Sequence, residues 1–544
     1  MVARRHALQR GGTLLSLIAL LFGAGIGFPA AAGEGAGEDG QLTPQEQRGR
    51  AIYRKGDGGS GGEIRLILSS SKLNMGAAAF PCESCHGSDG EGTEEGGLAP
   101  PPIRWRALTN AGRSPVTGRA RAGYTPEALR RAIRKGLDPS GSPMHPGMPR
   151  YIMSDAQLDD LSAYLRVLGR DSDHDPGVEA HAIRLGSALP LSGPRERMGH
   201  AIRGILEAFF QEINQGGGIF GRRLELVVED SGGDCSGVVA ATRRLIENQR
   251  VFALIGSFEP VGCDGVAELA AATEVPLIGP TAISPNLSVP PNPQVFYLLA
   301  SHYEQARVLV EFLATEAEPR LTRLAVIHLE ESIHNQATDG VRRPAPLLAS
   351  TIGYEQAYHP GGLDAPAALE AALDAGAEVV FFFGPSADLL AFARHAEQTG
   401  APLWMVSTGS TLGREAFHLP EGISSRSYLS YPSALPDPRE LARMLKMAQR
   451  AEVPLESVAL QGPAVASGRL LVEGLKQCGR RLSRARLLES LESVRGFTTG
   501  LAPPLTYGPN RRIGAMGAYV LRIDREKGEL VPVSSWITPR QGER

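Results

Sequence analysis

The pentapeptide Cys82-Glu83-Ser84-Cys85-His86 constrains this chain more than any other stretch. It sets two thiols three positions apart and an imidazole directly after the second. A C-x-x-C pair with a chance histidine would also fit redox exchange or zinc. With the histidine adjacent, the pattern is the one that attaches c-type haem. The thiols add to the haem vinyl groups, and the imidazole is held beside the iron as an axial ligand. Five residues thus install a covalent cofactor and its first ligand. The pattern occurs once, so a single haem is expected and a two-haem peroxidase is not.

The leader agrees with this chemistry. Arg4, Arg5 and Arg10 precede an apolar run from Thr13 to Phe28, and Ala30-Ala31-Ala32 follows. Residues 1–32 read as a secretory signal peptide. The run is short for a membrane span and contains glycines, which leaves an uncleaved anchor as the alternative. The expected location is the periplasm, where haem is attached after export. About 510 residues remain, enough for two or three domains. The 56 basic and 59 acidic residues nearly cancel, which argues against a nucleic-acid partner or a polybasic membrane binder. Beyond the haem pair, Cys235, Cys263 and Cys478 remain. Cys235 and Cys263 can pair in an oxidising compartment, which leaves Cys478 as a small buried residue.

Residues 42–170 form the first expected domain. Thr43 caps a helix that runs through Gly49 and Tyr53 to Lys55. Gly56 to Gly62 is flexible in composition, and a short apolar run, Ile64 to Leu68, precedes the haem motif. Ser154 opens a last helix with Leu158, Leu161, Tyr164, Leu165 and Leu168 on one face. The order of these parts resembles a class I cytochrome c: a helix with glycine and aromatic, C-x-x-C-H, a methionine loop, and a helix with aromatic. That resemblance implies a small all-α domain, with His86 and a loop methionine as the axial iron ligands. Met148, in Pro146-Gly147-Met148-Pro149-Arg150-Tyr151, matches the family's M-P-x-[YF] loop, with Met144, Met153 and His145 as rivals. It also implies a carbonyl near Pro100-Pro101-Pro102 for the ligand imidazole, and Arg104 and Trp105 as candidate propionate partners. His/Met ligation leaves no open site, so one-electron transfer is expected rather than oxygen or peroxide chemistry.

Residues 171–180 are polar and read as a linker. Beyond them, strands at Ile183–Leu189, Leu224–Glu229 and Phe252–Ile255 alternate with helices at 197–215 and 238–248, and Gly216-Gly217-Gly218 stops the first helix. Such alternation predicts α/β architecture with doubly wound parallel sheets. Several stretches carry a further likeness. They include Ile183-Arg184-Leu185-Gly186, Leu191-Ser192-Gly193, Glu212 to Gly221, Val275-Pro276-Leu277-Ile278-Gly279-Pro280, Ala325-Val326-Ile327, Gly496 to Gly500 and Gly514 to Leu521. In this order residues 181–536 resemble the leucine/isoleucine/valine-binding branch of type I periplasmic solute-binding proteins. The resemblance implies a two-lobe fold. Lobe one is expected at 181–298 and 425–505, lobe two at 299–424 and 506–536, with a ligand cleft between them. It also supports a Cys235–Cys263 disulfide.

The family's amino-acid pocket does not carry over. Its serine pair aligns with Val261-Gly262 unless a small gap brings Ser257 there. Its threonine falls near Ile283 and its lobe-two tyrosine near Ile333. A zwitterionic amino acid would lose its usual hydrogen bonds there. Residues expected at the cleft are Ser257, Phe258, Glu259, Thr281, Ser284, Glu330, Thr408 and Ser410, and Phe258 with Ile283 suggests a less polar ligand, an alcohol, aldehyde or small acid. No nucleophile–base set is visible, and His200, His302, His328 and His334 are scattered. The expected protein is therefore a non-enzymatic electron carrier fused to a solute-binding module. Its partners would be a periplasmic redox protein, such as a quinoprotein dehydrogenase or a terminal oxidase, a small solute and an ABC permease. An importer receptor with an accessory haem, and a haem enzyme with an open iron site, are the alternatives.

Overall fold

The computed structural model describes residues 42–68, 72–92, 100–113, 118–170, 173–260, 263–282, 290–433, 437–455, 458–480 and 482–540, so the expected leader lies outside the described residues. Two compact units divide the chain, one ending at Asp173 and the other beginning at His174.

In the first unit the helices α1 (Pro44–Lys55), α2 (Cys82–His86), α3 (Trp105–Thr109), α4 (Pro126–Lys135) and α5 (Asp155–Val167) are joined by short strands. These are β1 (Arg65–Ile67), β2 (Asn74–Gly76), β3 (Gly112–Arg113), β4 (Ala120–Arg121) and β5 (Arg150–Ile152). Both long helices start with a reciprocal cap. The Thr43 side chain accepts from the Glu46 amide while the Glu46 carboxylate accepts from the Thr43 amide, and Ser154 and Gln157 do the same for α5. Gly56, at φ 65°, takes the left-handed conformation that ends α1. The two helices cross at Gly49, where a Cβ would overlap the Asp160 carbonyl and the Tyr164 Cβ. Absence of a side chain there lets the Tyr53 and Tyr164 rings meet at 5.5 Å. The apolar run before the haem motif becomes β1, the centre of an antiparallel sheet ordered β2–β1–β5. Leu66 lies opposite Met75 and Tyr151 and is fully buried. Asp173 closes the unit: it accepts from the Tyr164 hydroxyl and the Gly169 amide, both at 3.1 Å, between Arg50 and Arg54.

The second unit is built from two sheets. The first contains β6 (Ala182–Leu189), β7 (Arg223–Asp230), β8 (Ala253–Ile255), β10 (Leu277–Ile278) and β12 (Val295–Phe296), in the order β12–β10–β8–β6–β7. Every pairing in it is parallel. Helices α6 (Glu196–Gln215), α7 (Cys235–Glu247) and α8 (Gly265–Thr273) connect these strands. A separate two-stranded parallel ribbon, β9 (Phe258–Glu259) with β11 (Thr281–Ala282), continues from their ends. The second sheet holds β13 (Arg323–Leu329), β14 (Thr351–Tyr358), β15 (Val379–Phe383), β16 (Trp404–Thr408), β17 (Ser427–Tyr431), β18 (Tyr519–Asp524) and β19 (Glu529–Pro532), in the order β14–β13–β15–β16–β17–β18–β19. Its helices include α9 (His302–Thr315), α10 (Ser332–Arg342), α11 (Ala365–Asp374) and α12 (Ser386–Gln398), and α13 (Gly409–Leu412) and α14 (Glu421–Ser424) are short turns. Helices α15 (Pro438–Arg450), α16 (Val458–Cys478) and α17 (Arg484–Glu492) then return to the first sheet, where Met444, Leu471 and Leu487 share its core.

Two details correct the expected division. Strand 427–431 pairs with β16 and β18, so it belongs to lobe two, not to the stretch 425–505 assigned to lobe one. Its run Ser-Tyr-Leu-Ser-Tyr needs the partner strand β16 to bury Tyr428 against Phe312. Tyr507, expected in lobe two, packs edge-on to Phe296 in the core of lobe one. The chain crosses where Tyr297 and Ile513 bridge in parallel, with the Gly514 amide on the Tyr297 carbonyl. Of the segment expected as a linker, Asp173 is held in the first unit and Asp175 in the second, where it accepts from the Arg484 amide at 2.6 Å.

Replacing Gly49 by alanine should destabilise the first unit by about 1–3 kcal/mol, because a methyl must be forced between α1 and α5. A denaturant titration followed in the haem Soret region measures this, and an unchanged midpoint would show that the crossing tolerates a side chain.

Candidate functional site

A cavity of about 590 Å³ lies inside the first unit. One wall is α2, a single turn in which Cys82, Cys85 and His86 all face the cavity. A helix this short cannot hold itself, since nucleation costs more than one turn returns. Two buried tyrosines hold it instead. The Tyr53 hydroxyl donates to the Gly87 carbonyl at 2.6 Å, just after the turn, and the Tyr151 hydroxyl donates to the Phe80 carbonyl at 2.7 Å, just before it. Burial raises the pKa of both phenols, so both remain donors.

His86 is 7% exposed, and its Nδ1 lies 3.2 Å from the Pro101 carbonyl. Nδ1 therefore carries the proton and donates it, which leaves the Nε2 lone pair for a metal. Burial is the larger influence and holds the imidazole below its ordinary pKa, while the Pro101 carbonyl works in the opposite sense. Burial pushes the Cys82 thiol up to about 12. Cys85 is exposed.

The methionine loop supplies another part of the wall. Met144, His145, Met148 and Met153 all border the cavity. Their surroundings differ. Met153 is 6% exposed and belongs to the core. His145 is exposed, and its Nδ1 accepts from the Gly147 amide at 3.1 Å. Met148 is half-buried against the core, in a turn where its amide donates to the His145 carbonyl at 3.0 Å. The residues present fit haem c: two cysteine sulfurs and an oriented imidazole on one wall, a thioether loop on another, and apolar side chains such as Ile52, Leu129 and Leu161 between them.

Arg104 and Trp105, expected near the propionates, do not border the cavity. Arg104 donates to the Asp89 carbonyl at 2.8 Å and ion-pairs with Glu91 at 2.7 Å, and Trp105 lies under the Arg166 guanidinium at 4.6 Å. The acidic turn ahead of it competes for the arginine. Arg119 and Arg121 border the cavity in its place, the latter from β4.

In the second unit the expected cleft residues part company. Ser257 is fully buried, and its Oγ accepts from the Ala188 amide at 3.2 Å, so it ties β6 to the segment between β8 and β9. Phe258 is 6% exposed in the lobe-one core, so it presents no apolar surface to a ligand. Glu259 is 4% exposed, its Oε1 has no hydrogen-bond partner, and burial, with Asp264 adding to it, pushes its carboxyl up to about 8. Thr281 sits opposite Phe258 on the β9–β11 ribbon. In lobe two, Glu330 pairs with His359 at 3.1 Å beyond the end of β13, and the Thr408 hydroxyl meets Thr411 Oγ1 at 2.6 Å. Ser410 is in α13, and Ser284 lies outside the described residues, as do Val261, Gly262 and Ile283. Cys235 and Cys263 are disulfide-bonded. Cys478 is buried in the lobe-one core beside Ser490.

The histidines are less scattered than their spacing suggests. His302 opens α9, His328 lies near the end of β13 and His334 is in the first turn of α10. They are near enough to act on one another: burial first, then His334, pushes His302 down to about 3, and burial likewise lowers His334, with His328 contributing. Helix starts and strand ends converge on one edge of a parallel sheet, and that was the available signal. Among the described residues no three His, Cys, Asp or Glu side chains are set to hold a metal ion.

Comparison with known proteins agrees with this division. The sequence profile of the family described as "Periplasmic binding protein" matches residues 182–529, and that of "Cytochrome c" matches 74–169. Leu/Ile/Val-binding protein homolog 3 of Brucella melitensis is 23% identical over 326 residues, covering 60% of this chain and 87% of its own. Among solved structures, a fatty acid ABC transporter substrate-binding protein from Thermomonospora curvata superposes with a TM-score of 0.54 at 18% identity, over 68% of this chain and 95% of its own. A branched chain amino acid ABC transporter from Thermus thermophilus with bound valine gives 0.53 at 18% identity, over 66% and 97%.

Because the folded Glu259 pKa lies above its ordinary value, its contribution to stability is fully present below about pH 4.5 and is lost as pH rises through about 8. Glu259→Gln should remove that loss. Melting of the two proteins compared from about pH 5 to pH 9 should show the variant gaining on the parent as pH rises, and a pH-independent difference would refute the buried-acid assignment.

Proposed function

The chain belongs to the periplasmic binding protein family and carries a cytochrome c domain ahead of that fold, and from this we propose that it is an exported one-electron carrier joined to a solute-binding module. The observation that carries the reading is the convergence of Cys82, Cys85, His86 and Met148 on one cavity. In this reading Cys82 and Cys85 would hold a single haem c, and His86 Nε2 and the Met148 thioether would bind its iron. Bound there, haem supplies an iron couple that cycles between ferric and ferrous by one electron. The chain's own residues set how that couple behaves. Pro101 fixes the imidazole through Nδ1 and raises the ligand's basicity. The apolar cavity disfavours the charged ferric state, and a thioether does the same, so both favour a raised potential. With His86 and Met148 both committed to the iron, the activity would be electron exchange with a protein partner, such as a quinoprotein dehydrogenase or a terminal oxidase.

The second unit has the architecture for ligand-driven closure: one lobe on a parallel sheet and one on a mainly parallel sheet with two antiparallel edge strands, β18 and β19, joined at crossing segments that include Tyr297 and Gly514. In this reading a small solute binds at the strand ends. Glu259, Thr281, Glu330, Thr408, Ser284 and Ser410 remain the proposed polar contacts. Ser257 and Phe258 support the lobe from behind. Because burial favours the uncharged form of Glu259, it offers no anion to an α-ammonium group, and a ligand without that group is served better than a zwitterion. The bound valine of the Thermus thermophilus structure and the names of the Leu/Ile/Val-binding relatives make an aliphatic amino acid the competing ligand class. A permease of the ABC class is the corresponding partner, and the same fold supports a second reading as an importer receptor with an accessory haem. No helix among the described residues is long and apolar enough to cross a membrane.

The reduced protein should show the sharp α band of low-spin c-type haem. Met148→Ala should abolish the thioether-to-iron charge-transfer band of the ferric form, lower the midpoint potential and admit carbon monoxide rapidly. A variant with unaltered potential would remove Met148 from the iron. For the second unit, a thermal-shift screen of branched amino acids, alcohols, aldehydes and small acids should find a stabiliser among the last three classes. Stabilisation by leucine or valine alone would favour the amino-acid receptor.

A further inference from the structure

The loop that carries Met148 is secured unevenly. Its first half is tied down locally. The Asp138 amide donates to the Ser142 carbonyl at 2.8 Å, the Asp138 carboxylate accepts from the Ser140 and Ser142 amides, and Leu137 bridges to Pro143. The Met144 amide then donates to the Gly136 carbonyl at 2.8 Å. In the second half the bonds stay within the turn, from Met148 to the His145 carbonyl and from Gly147 to the His145 ring. Arg150 begins β5, where its backbone is in register with Ile67. Its side chain folds back over the loop, and Nη1 donates to the Met148 carbonyl. The same guanidinium lies against the end of α4. A Cβ on Gly136 would overlap its Nε, Cζ and Nη2. Gly136 is the left-handed cap of α4, at φ 64°.

We infer that Arg150 is a positioning residue for the sixth iron ligand, clamping the Met148 backbone against the Gly136 cap of helix α4. The inference rests on the reading of Met148 as that ligand. A thioether binds iron weakly, so its occupancy depends on how little freedom the loop retains when it lets go. Arginine suits the task. Its planar fork lies flat on a backbone that has no side chain and still donates to a carbonyl, whereas the lysine ammonium is a point charge on a flexible stem. Gly136 is needed twice over, for its φ and for the space the guanidinium fills. With the clamp gone, the turn 145–148 is free to swing, and His145, which borders the same cavity, becomes a competing ligand.

The test uses the full-length holoprotein. Arg150→Lys and Arg150→Gln should weaken the ferric thioether charge-transfer band, lower the midpoint potential and speed carbon monoxide binding to the ferrous form by about tenfold, the factor expected for one charge-assisted hydrogen bond. Met148→Ala in the same assays separates the two ideas. If it leaves the band in place, the ligand reading fails. If it abolishes the band while both Arg150 variants keep band, potential and carbon monoxide rate unchanged, the clamp is overturned and the ligand stands. A measurement on the unaltered ferrous protein covers variants that fail to take up haem: the Arg150 guanidinium protons should exchange slowly with solvent by NMR, and exchange as fast as at an exposed arginine would overturn the clamp.

Discussion

Two tyrosine hydroxyls hold the haem motif in place. Cys82–His86 is one helical turn, too short to persist alone. Tyr53 and Tyr151 grip the chain on either side of it through the carbonyls of Gly87 and Phe80. Each tyrosine belongs to a different part of the unit. Tyr53 comes from α1 and reaches the motif because Gly49 lets α1 cross α5 closely. Tyr151 comes from β5, three residues beyond Met148, so the bond that seats the cysteines also fixes the distance to the methionine loop. Helix crossing, cysteine turn and loop are thus one mechanical assembly, and Arg150 completes it from the Met148 side.

The second unit follows a different logic. Its sheets, parallel except at β18 and β19, are buried by helices on their faces, and polar side chains collect where strands end and helices begin. Ser301, His302, Gln305, His328, Thr408 and Ser430 are all buried at such places, and Ser430 donates to Gln305 at 3.2 Å. A carboxyl with an unpartnered oxygen at Glu259 sits on the opposite lobe. Buried polar groups of this kind cost stability unless something meets them. Their concentration at strand ends is what a ligand-closing protein needs.

Much of the cytochrome unit was legible because its signals are local. Thr43 with Glu46 and Ser154 with Gln157 mark helix starts within four residues, and Cys82–His86 carries its chemistry in five. The Met148 loop could be picked out by its prolines and by Tyr151. Arg104 could not be placed, because its fate turned on Asp89 and Glu91 after the chain had folded back. In the binding unit the strands 183–189 and 224–229 and the helices between them were readable from periodicity. The lobe of strand 427–431 was not, since a short apolar strand fits either sheet until β16 is there to receive it. Ser257 and Phe258 look like loop-end cleft residues in sequence and are core residues in space.

By itself, the sequence determined the C-x-x-C-H pattern at Cys82–His86, the two kinds of fold and their order along the chain. Each of these follows from residue type and short-range spacing, which survive in one dimension. Only the tertiary structure decided which imidazole nitrogen is free, which arginines border the cavity, and that three histidines from α9, β13 and α10 lie near enough to lower one another's basicity. It also decided that the Oε1 of Glu259 is buried without a hydrogen-bond partner and that Arg150 folds back onto Met148. Those outcomes depend on competition among groups far apart in the chain for a few hydrogen bonds and a little buried space, and that competition is settled only when the chain closes on itself.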